Sequence, residues 1–391
     1  MTRGISCLSL SAALLMAAAA QFASAEVNAT DAATASTAPI AYVYVSSTPK
    51  NSSNSEIVAW AAASNGSLKP IAGSPFQDDV RSIAVNGKYL FGAAGHSTDI
   101  DAYLIESNGA LRYSASTNYA QDNSGDCGSA GSVFLDHTGA SLYVMEYNGD
   151  GCANNEYHSF AVQKLTGKLT NLGSAAVNDW ITLPANFIGN NVYAYSASCL
   201  GDMYWGIFGF QRSSNGLLTE ISGGKTPTPK AGDFYCPSQA AADPTNHVAI
   251  TMQAVNGQEF SADGAPQLAT YTVAANGTLT TTSTTANMPV TQVGSIADIN
   301  MAPSGKLLAV GGSAGLQIFH FNGASPITKY TGLLTKDPIS QFFWDNNNHL
   351  YAISPSAGKL FVFTVTPTGY SQVPGSPYNV YNPSAIIVQP K

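Results

Sequence analysis

Charged side chains are scarce in this sequence of 391 residues. Asp, Glu, Lys and Arg together make up 10% of it, against about 25% in an average globular domain. The 16 Lys and Arg residues are outnumbered by 24 Asp and Glu residues, and the formal net charge is −8. The chain has no basic stripe that would neutralise phosphates, so a nucleic-acid ligand is excluded. Its 45% apolar content excludes a disordered chain.

Long apolar runs and several enzyme signatures are also missing. After residue 25 no segment approaches the roughly 18 unbroken apolar residues that a membrane-spanning helix needs. The Walker loop, the G-x-G-x-x-G turn and the H-E-x-x-H zinc motif do not occur. No stretch shows a convincing helical period, which disfavours a TIM barrel with its eight helices.

The N-terminus has the features of a secretory signal. Arg3 precedes an apolar stretch, and Ala23-Ser24-Ala25 forms an A-x-A cleavage site. A transmembrane anchor is the alternative, but no cluster of Lys and Arg follows as a stop-transfer signal. We therefore predict a signal peptide over residues 1–25, a flexible leader over 26–40 and a folded domain over 41–391. The protein is expected to be exported, to a periplasm or out of the cell.

One strand-rich unit recurs seven times along the folded part. Each unit has an apolar strand, a polar turn, a second strand with Tyr, Leu or Val, and an alternating third strand before a Gly turn. The second strands lie at residues 42–45, 89–92, 142–145, 192–195, 248–251, 307–310 and 350–353. The aromatics of the third strands are Trp60, Tyr103, Phe160, Phe210, Tyr271, Phe319 and Phe363. A repeat of about 50 residues with four strands predicts an all-β, seven-bladed β-propeller.

The two chain ends are expected to complete one blade. The first unit begins at a second strand, at Tyr42, and has no first strand of its own. The C-terminal stretch 385–388 matches the first-strand pattern of the other units. The C-terminal strand should therefore close blade 1 and remove two open sheet edges.

Two structural motifs carry a family resemblance. They are the D-x-x-G-x-x-L-Y turn and strand, as in residues 136–143, and the G-x-L-x-x-I-x-G-S-P-F ending at residues 66–76. Over about residues 41–391 the chain resembles the seven-bladed propeller lactonases, the group of 6-phosphogluconolactonases and carboxymuconate-cyclizing enzymes. The resemblance implies a histidine just before an innermost strand, with Arg and Glu nearby. The corresponding stretch, 129–136, contains no histidine.

Polar residues near the start of the innermost strands should line the mouth of the central channel. The expected set is Arg81, Ser132, Asn186, Gln239, Asp298, Gln341 and Asn382. Arg81 is suited to a carboxylate or an oxyanion, with Asp298 as its counter-charge. Glu146, just past the second strand of blade 3, and His96, in a long loop near Asp99, are the candidate general bases. A structural, water-filled channel is the alternative interpretation.

The long loops should gather at one acidic end of the propeller. Four cysteines map there, and we favour the disulfides Cys127–Cys152 and Cys199–Cys236 over a zinc site, because no C-x-x-C spacing occurs. No metal is assigned, although the loops at residues 122–126 and 148–151 loosely resemble calcium loops. They also fit ordinary turn chemistry. Loop aromatics that offer stacking surfaces are Trp180, Tyr204, Trp205 and Tyr235.

Two functions follow from these features. The first is an exported lactone hydrolase that acts on a sugar-type or other small lactone without a cofactor. The second is a non-catalytic propeller that binds a glycan or a protein partner on its acidic loop face. The family resemblance favours the first function, and the missing histidine favours the second.

Overall fold

The computed structural model describes residues 38–94, 97–118, 129–147, 155–177, 183–200 and 204–391. For residues 129–131, 146–147, 155–156, 176–177, 200 and 204–205 it describes the backbone alone. Within these ranges the chain is all-β and contains no helix. No helix that could cross a membrane is therefore found in the described part.

Thirty strands follow one another along the chain. The first sixteen are β1 Ala41–Ser47, β2 Glu56–Ala62, β3 Leu68–Pro70, β4 Phe76–Gln77, β5 Val80–Val85, β6 Tyr89–Ala94, β7 Asp99–Ile105, β8 Leu111–Asn118, β9 Ser129–Leu135, β10 Ser141–Tyr147, β11 Asn155–Val162, β12 Leu169–Val177, β13 Asn186–Phe187, β14 Tyr193–Leu200, β15 Tyr204–Arg212 and β16 Leu218–Gly224. The others are β17 Asp233–Ala242, β18 His247–Asn256, β19 Gln267–Val273, β20 Leu279–Thr280, β21 Ile296–Met301, β22 Leu307–Gly312, β23 Gly315–Asn322, β24 Ser325–Thr335, β25 Gln341–Trp344, β26 His349–Ser354, β27 Lys359–Thr366, β28 Gly369–Gln372, β29 Tyr378–Asn379 and β30 Pro383–Pro390.

These strands form seven antiparallel sheets, the blades of a propeller, which confirms the predicted fold. Blades 2 to 7 each take four consecutive strands, from β5–β8 through β25–β28, with the innermost strand first. Blade 1 is β30, β1, β2 and β3, and the short strands β4 and β29 add to β2 and β27. Ring closure by the C-terminal strand is confirmed, since β30 pairs antiparallel with β1 and sets Val43 opposite Val388.

The hydrophobic core is a ring of seven layers, one between each pair of neighbouring blades. All seven third-strand aromatics that the repeat predicted are buried, with Tyr103 the most exposed of them at 7%. Strand β30 contributes to two layers, because its side chains alternate between the faces of blade 1. Ile386 and Val388 pack in the layer toward blade 7, whereas Ala385 and Ile387 pack toward blade 2.

Tyrosine hydroxyls of some second strands form hydrogen bonds to the neighbouring blade. The hydroxyl of Tyr44 donates to the carbonyl of Gly109 at 2.9 Å, that of Tyr143 to Gly216 at 2.8 Å, and that of Tyr195 to Gly277 at 2.6 Å. Each acceptor is the turn glycine of the next blade, and each glycine has a positive φ. A Cβ on Gly109 would lie 2.6 Å from the Tyr42 ring. Glycine is therefore required at this position both by the turn and by the close contact with the tyrosine of the neighbouring blade.

A disulfide joins Cys199 at the end of β14 to Cys236 in β17, as predicted. It links blade 4 to blade 5 across a sequence separation of 37 residues. The other predicted pair, Cys127 and Cys152, lies outside the described residues.

Ile386→Ala should weaken ring closure. Ile386 is fully buried between blades 1 and 7, so we expect the free energy of unfolding to fall by about 2–5 kcal/mol. Urea denaturation followed by circular dichroism measures the change. Lys391→Ala, at the exposed end of the same segment, is the matched control. A loss no larger than that of the control would contradict the closure argument.

Removing the disulfide by the double change Cys199→Ser and Cys236→Ser should lower the free energy of unfolding by about 3–4 kcal/mol. The physical reason is that the bond closes a loop across 37 residues of sequence and so lowers the conformational entropy of the unfolded chain. Unfolding of the double variant and of the wild type, both without reductant, measures this. Equal stability of the two proteins would show that the bond contributes nothing.

Candidate functional site

The innermost strands of all seven blades surround one central cavity of about 680 Å³. Its walls run from residues at the start of these strands, such as Arg81 and Ser384, to His137 at their far end. The cavity is therefore the central channel of the propeller, with its predicted mouth at the start of the innermost strands.

Side chains at one equivalent register position in four of the blades form hydrogen bonds that join neighbouring innermost strands. The position is the fourth residue before the turn that ends each innermost strand. There Ser82 Oγ accepts the N–H of Val133 at 3.0 Å, and Gln341 Oε1 accepts the N–H of Ile386 at 2.8 Å. Each bond crosses from one blade to the next. Polar side chains of the innermost strands, which form the hub of the propeller, thus stabilise the ring as well as line the channel.

Two further members of this lateral set are Gln239 and Asp298. Gln239 Nε2 donates to the carbonyl of Ala297 at 2.9 Å, and Asp298 Oδ2 accepts the N–H of Phe342 at 3.2 Å. The structure therefore gives a structural partner to three of the predicted channel residues, Gln239, Asp298 and Gln341. Their predicted roles toward a ligand stay predictions.

Asp298 is the most perturbed carboxyl of the channel. Burial raises the pKa of Asp298 to about 8, and the N–H groups of Phe342 and Ile299 oppose the rise only in part. A carboxyl with this pKa is mainly protonated at pH 7. It can therefore donate a proton or a hydrogen bond into the cavity, which an ordinary aspartate cannot.

Arg81 lines the same cavity from β5. Burial sets the pKa of Asp298, and the groups that oppose the rise are the backbone N–H groups of Phe342 and Ile299. The role of Asp298 as a counter-charge to Arg81 stays a prediction. Arg81 has an interaction partner of its own.

The remaining channel predictions divide into two groups. Ser132 and Asn186 line the cavity, and Asn186 Nδ2 donates to the carbonyl of Pro184 at 3.3 Å. Asn382 does not line it; it lies in a separate groove with Tyr381 and residues 355–358. The prediction was displaced by two residues along the chain, since in blade 1 it is Ser384 that lines the channel.

The predicted stacking surface at Tyr235 is corrected by its burial. The side chain is 1% exposed, and its hydroxyl contacts Gln267 Oε1 and Thr285 Oγ1, both at 3.0 Å. It packs in the layer between blades 4 and 5, so its ring is closed to a ligand. Tyr204 and Trp205 lie in β15, opposite Leu200 and Cys199, and their side chains are outside the description.

Other predicted site residues fall outside the described residues. These are His96, Trp180 and the calcium-like loops at residues 122–126 and 148–151. Glu146 is described by its backbone, which lies in β10 opposite Ala130 of the innermost strand. Among the described residues no group of three or more His, Cys, Asp or Glu could hold a metal ion.

Sequence reasoning missed several hydroxyls on the channel wall. Ser82, Ser340 and Ser384 all line the cavity. Counting back from the turn residue of each innermost strand would have found Ser82. The sequence also contains G-x-S-x-G at residues 311–315, a spacing typical of a nucleophile elbow. Here it forms the hairpin between β22 and β23, where Ser313 Oγ accepts the N–H of Ser295 at 3.0 Å, so it is a turn.

Asp298→Asn should remove a pH dependence of stability. Below about pH 4 the carboxyl is protonated in the folded and the unfolded chain alike. Between about pH 4 and 8 the unfolded chain releases a proton that the folded chain keeps. The stability of the wild type should therefore fall relative to that of the variant across this window and level off above it. The side-chain oxygen of the variant still accepts the N–H of Phe342.

The measurement is the difference in free energy of unfolding between the wild type and Asp298→Asn, from urea titrations at pH 4 to 9. Titration of all other groups cancels in this difference. A difference that stays constant with pH would show that the carboxyl of Asp298 is not desolvated.

Comparison with known proteins supports the architecture. No protein-family model matches the chain, and no curated protein matches it. Solved structures do. A protein from Lactobacillus plantarum aligns with a TM-score of 0.61 at 13% identity, over 89% of this chain and 99% of its own. A candidate 6-phosphogluconolactonase from Bacteroides fragilis gives 0.59 at 12%, over 89% and 97%.

A periplasmic gluconolactonase from Pseudomonas aeruginosa aligns with a TM-score of 0.61 at 14% identity, over 89% of this chain and 99% of that one. Identities this low show a common fold and leave the chemistry to the site. The chain thus shares the propeller fold of proteins described as lactonases.

Proposed function

We propose that this protein hydrolyses a sugar-type or other small lactone in its central cavity, outside the cytoplasm. The observation that carries the proposal is the presence of two complementary groups in one cavity. A guanidinium, Arg81, and a carboxyl that is protonated at neutral pH, Asp298, line the same 680 Å³ space. Neutral polar side chains at Ser132 and Asn186 share that lining.

The two groups suit the two charges that develop in ester hydrolysis. Water adds to the ring carbonyl carbon, and the carbonyl oxygen becomes an oxyanion that Arg81 stabilises. The bond from that carbon to the ring oxygen then breaks, and Asp298 gives its proton to the departing alkoxide. A general base takes a proton from the attacking water, and Glu146 and His96 remain the proposed bases. The product is a hydroxy acid.

The charge of the lining favours a neutral substrate. Among the described residues of the cavity wall, Arg81 is the sole Lys or Arg, whereas Asp136 and Asp298 supply carboxyl groups. The carboxylate of Asp136 is already occupied by Arg212, at 2.8 Å. A phosphorylated lactone would need more cations than this wall presents.

Export is proposed from two features. Residues 1–25 read as a secretory signal, and the disulfide between Cys199 and Cys236 is a bond that persists in oxidising compartments. The periplasmic gluconolactonase with the same fold supports this placement.

A non-catalytic propeller that binds a glycan or a protein is the second candidate function. The observation in its favour is that β9, the strand where the resemblance implies a histidine, contains none. Turnover of a lactone by the purified protein would distinguish the enzymatic function from the non-catalytic one.

A panel of lactones, followed by proton release at constant pH, tests the proposal. Glucono-, galactono- and butyrolactone are suitable substrates. We expect hydrolysis of at least one, and Arg81→Ala should lower kcat/KM by roughly 100-fold through the lost oxyanion contact. Arg112→Ala is the matched control, because Arg112 is 63% exposed on the outer strand β8 and pairs with Glu106 in the turn that precedes β8.

Absence of turnover across the panel by folded protein would end the enzymatic proposal. Equal rates for Arg81→Ala and wild type would remove Arg81 from the mechanism.

A further inference from the structure

A second concave site lies beside the channel, where blade 7 meets blade 1. It is a groove of about 590 Å³ between the loop that joins β26 to β27 and the segment that leads into β30. Its lining is Pro355, Ser356, Ala357, Gly358, Asn379, Val380, Tyr381 and Asn382. Because β30 is an innermost strand, the groove opens at the end of the propeller where that strand begins, which is also the end of Arg81 and Asp298.

The chemistry of the groove points to a neutral, hydroxyl-rich ligand. None of the eight lining residues carries a charge, and the ammonium of Lys359 beside them is already bound by Asn379 Oδ1 at 2.5 Å. Tyr381 is 56% exposed. Its ring offers an apolar face beside the amides of Asn379 and Asn382 and the hydroxyl of Ser356. An aromatic face with amide and hydroxyl groups around it is the usual arrangement for holding a sugar ring.

The backbone of the groove is fixed in advance of any ligand. Val380 donates its N–H to the carbonyl of Gly358 at 3.0 Å, which joins the two sides. Ser47 Oγ donates to the carbonyl of Tyr381 at 2.6 Å, and the N–H of Thr48 donates to the carbonyl of Asn382 at 3.2 Å. Asn382 is also held at a φ of 40°, a region that side chains occupy mainly where the surroundings impose it. A preformed site loses less entropy on binding.

Only a short length of chain separates the groove from the channel. Ser384 lines the channel two residues after Asn382 lines the groove, which is a chain distance of roughly 7 Å. On the neighbouring blade, Ser340 lines the channel, and its N–H donates to the carbonyl of Ile353, two residues before Pro355 of the groove.

Two serine hydroxyls of blade 7 have no partner among the described residues. The Oγ atoms of Ser340 and Ser354 are buried without a hydrogen bond, and Ser354 is 0% exposed. A buried hydroxyl without a partner costs about 1–3 kcal/mol. A buried water would supply the missing bonds.

We infer that the groove is a subsite for a second sugar unit, so that the substrate is the terminal aldonolactone of a disaccharide or longer saccharide. The lactone ring occupies the channel mouth, and the neighbouring sugar lies on the ring of Tyr381. This inference rests on the proposed function for the lactone end only; the sugar subsite stands on the groove itself.

Binding of plain disaccharides tests the subsite without turnover. Cellobiose and maltose are titrated into the full-length protein and followed by saturation-transfer NMR and calorimetry. Wild type should bind at least one of them, and Tyr381→Ala should weaken binding at least 10-fold. Tyr381→Phe should retain it, because the ring remains. Tyr370→Ala is the matched control, since Tyr370 is 52% exposed on the outer strand β28.

Kinetics on two substrates tests the link to the channel. The aldonolactone of the bound disaccharide and simple gluconolactone are compared for wild type and Tyr381→Ala. We expect KM for the disaccharide lactone to rise at least 10-fold in the variant, with kcat/KM for gluconolactone unchanged. Circular dichroism and the melting temperature of the variant are measured to check that its fold is intact.

The outcomes separate the two proposals. Failure of wild type to bind either disaccharide, or equal binding by Tyr381→Ala, overturns the subsite, whatever the lactone panel shows. Tyr381-dependent disaccharide binding without any lactone turnover supports a sugar site and overturns the lactonase function. Equal KM values of wild type and variant for the disaccharide lactone overturn the arrangement of channel and groove as one site.

Discussion

The antiparallel pairing of β30 with β1 is the contact on which the rest of the ring depends. Seven sheets that pack face to face have two open ends until the last strand of the chain joins the first sheet. Strand β30 does more than supply hydrogen bonds, because its alternating side chains belong to the layers on both sides of blade 1. Neither layer would be complete without it, and the channel would lose one of its seven walls.

The hub shows how one set of atoms serves both stability and chemistry. Side chains at a single register position reach sideways to backbone groups of the next blade. A backbone N–H in the hub would otherwise lack a partner, and burying it unpaired is costly. The polar wall that this produces is the surface that any ligand in the channel must meet. Asp298 illustrates the consequence, since the position that ties blade 6 to blade 7 also keeps a carboxyl protonated.

The low charge of the chain gives the two adjoining sites a common character. The channel has few cations among its described residues, and the groove beside it has no charged residue in its lining. The ligands proposed for both are accordingly neutral and are recognised by hydrogen bonds and ring contacts. A fold that many unrelated functions share gains its specificity from such local detail. Here that detail is concentrated where blade 7, blade 1 and the channel mouth adjoin.

The sequence by itself determined the number of blades, the order of their strands and the way the ring closes. These features repeat seven times, so local alternation and turn chemistry reinforce one another. It also identified the bond between Cys199 and Cys236. Only the tertiary structure decided which polar side chain faces the channel. Asn382 and Ser384 are two residues apart and line different cavities, and Tyr235 is buried although its surroundings read as a loop. The reason is that a strand's exact register, and the packing of the next blade against it, depend on residues far away in the chain.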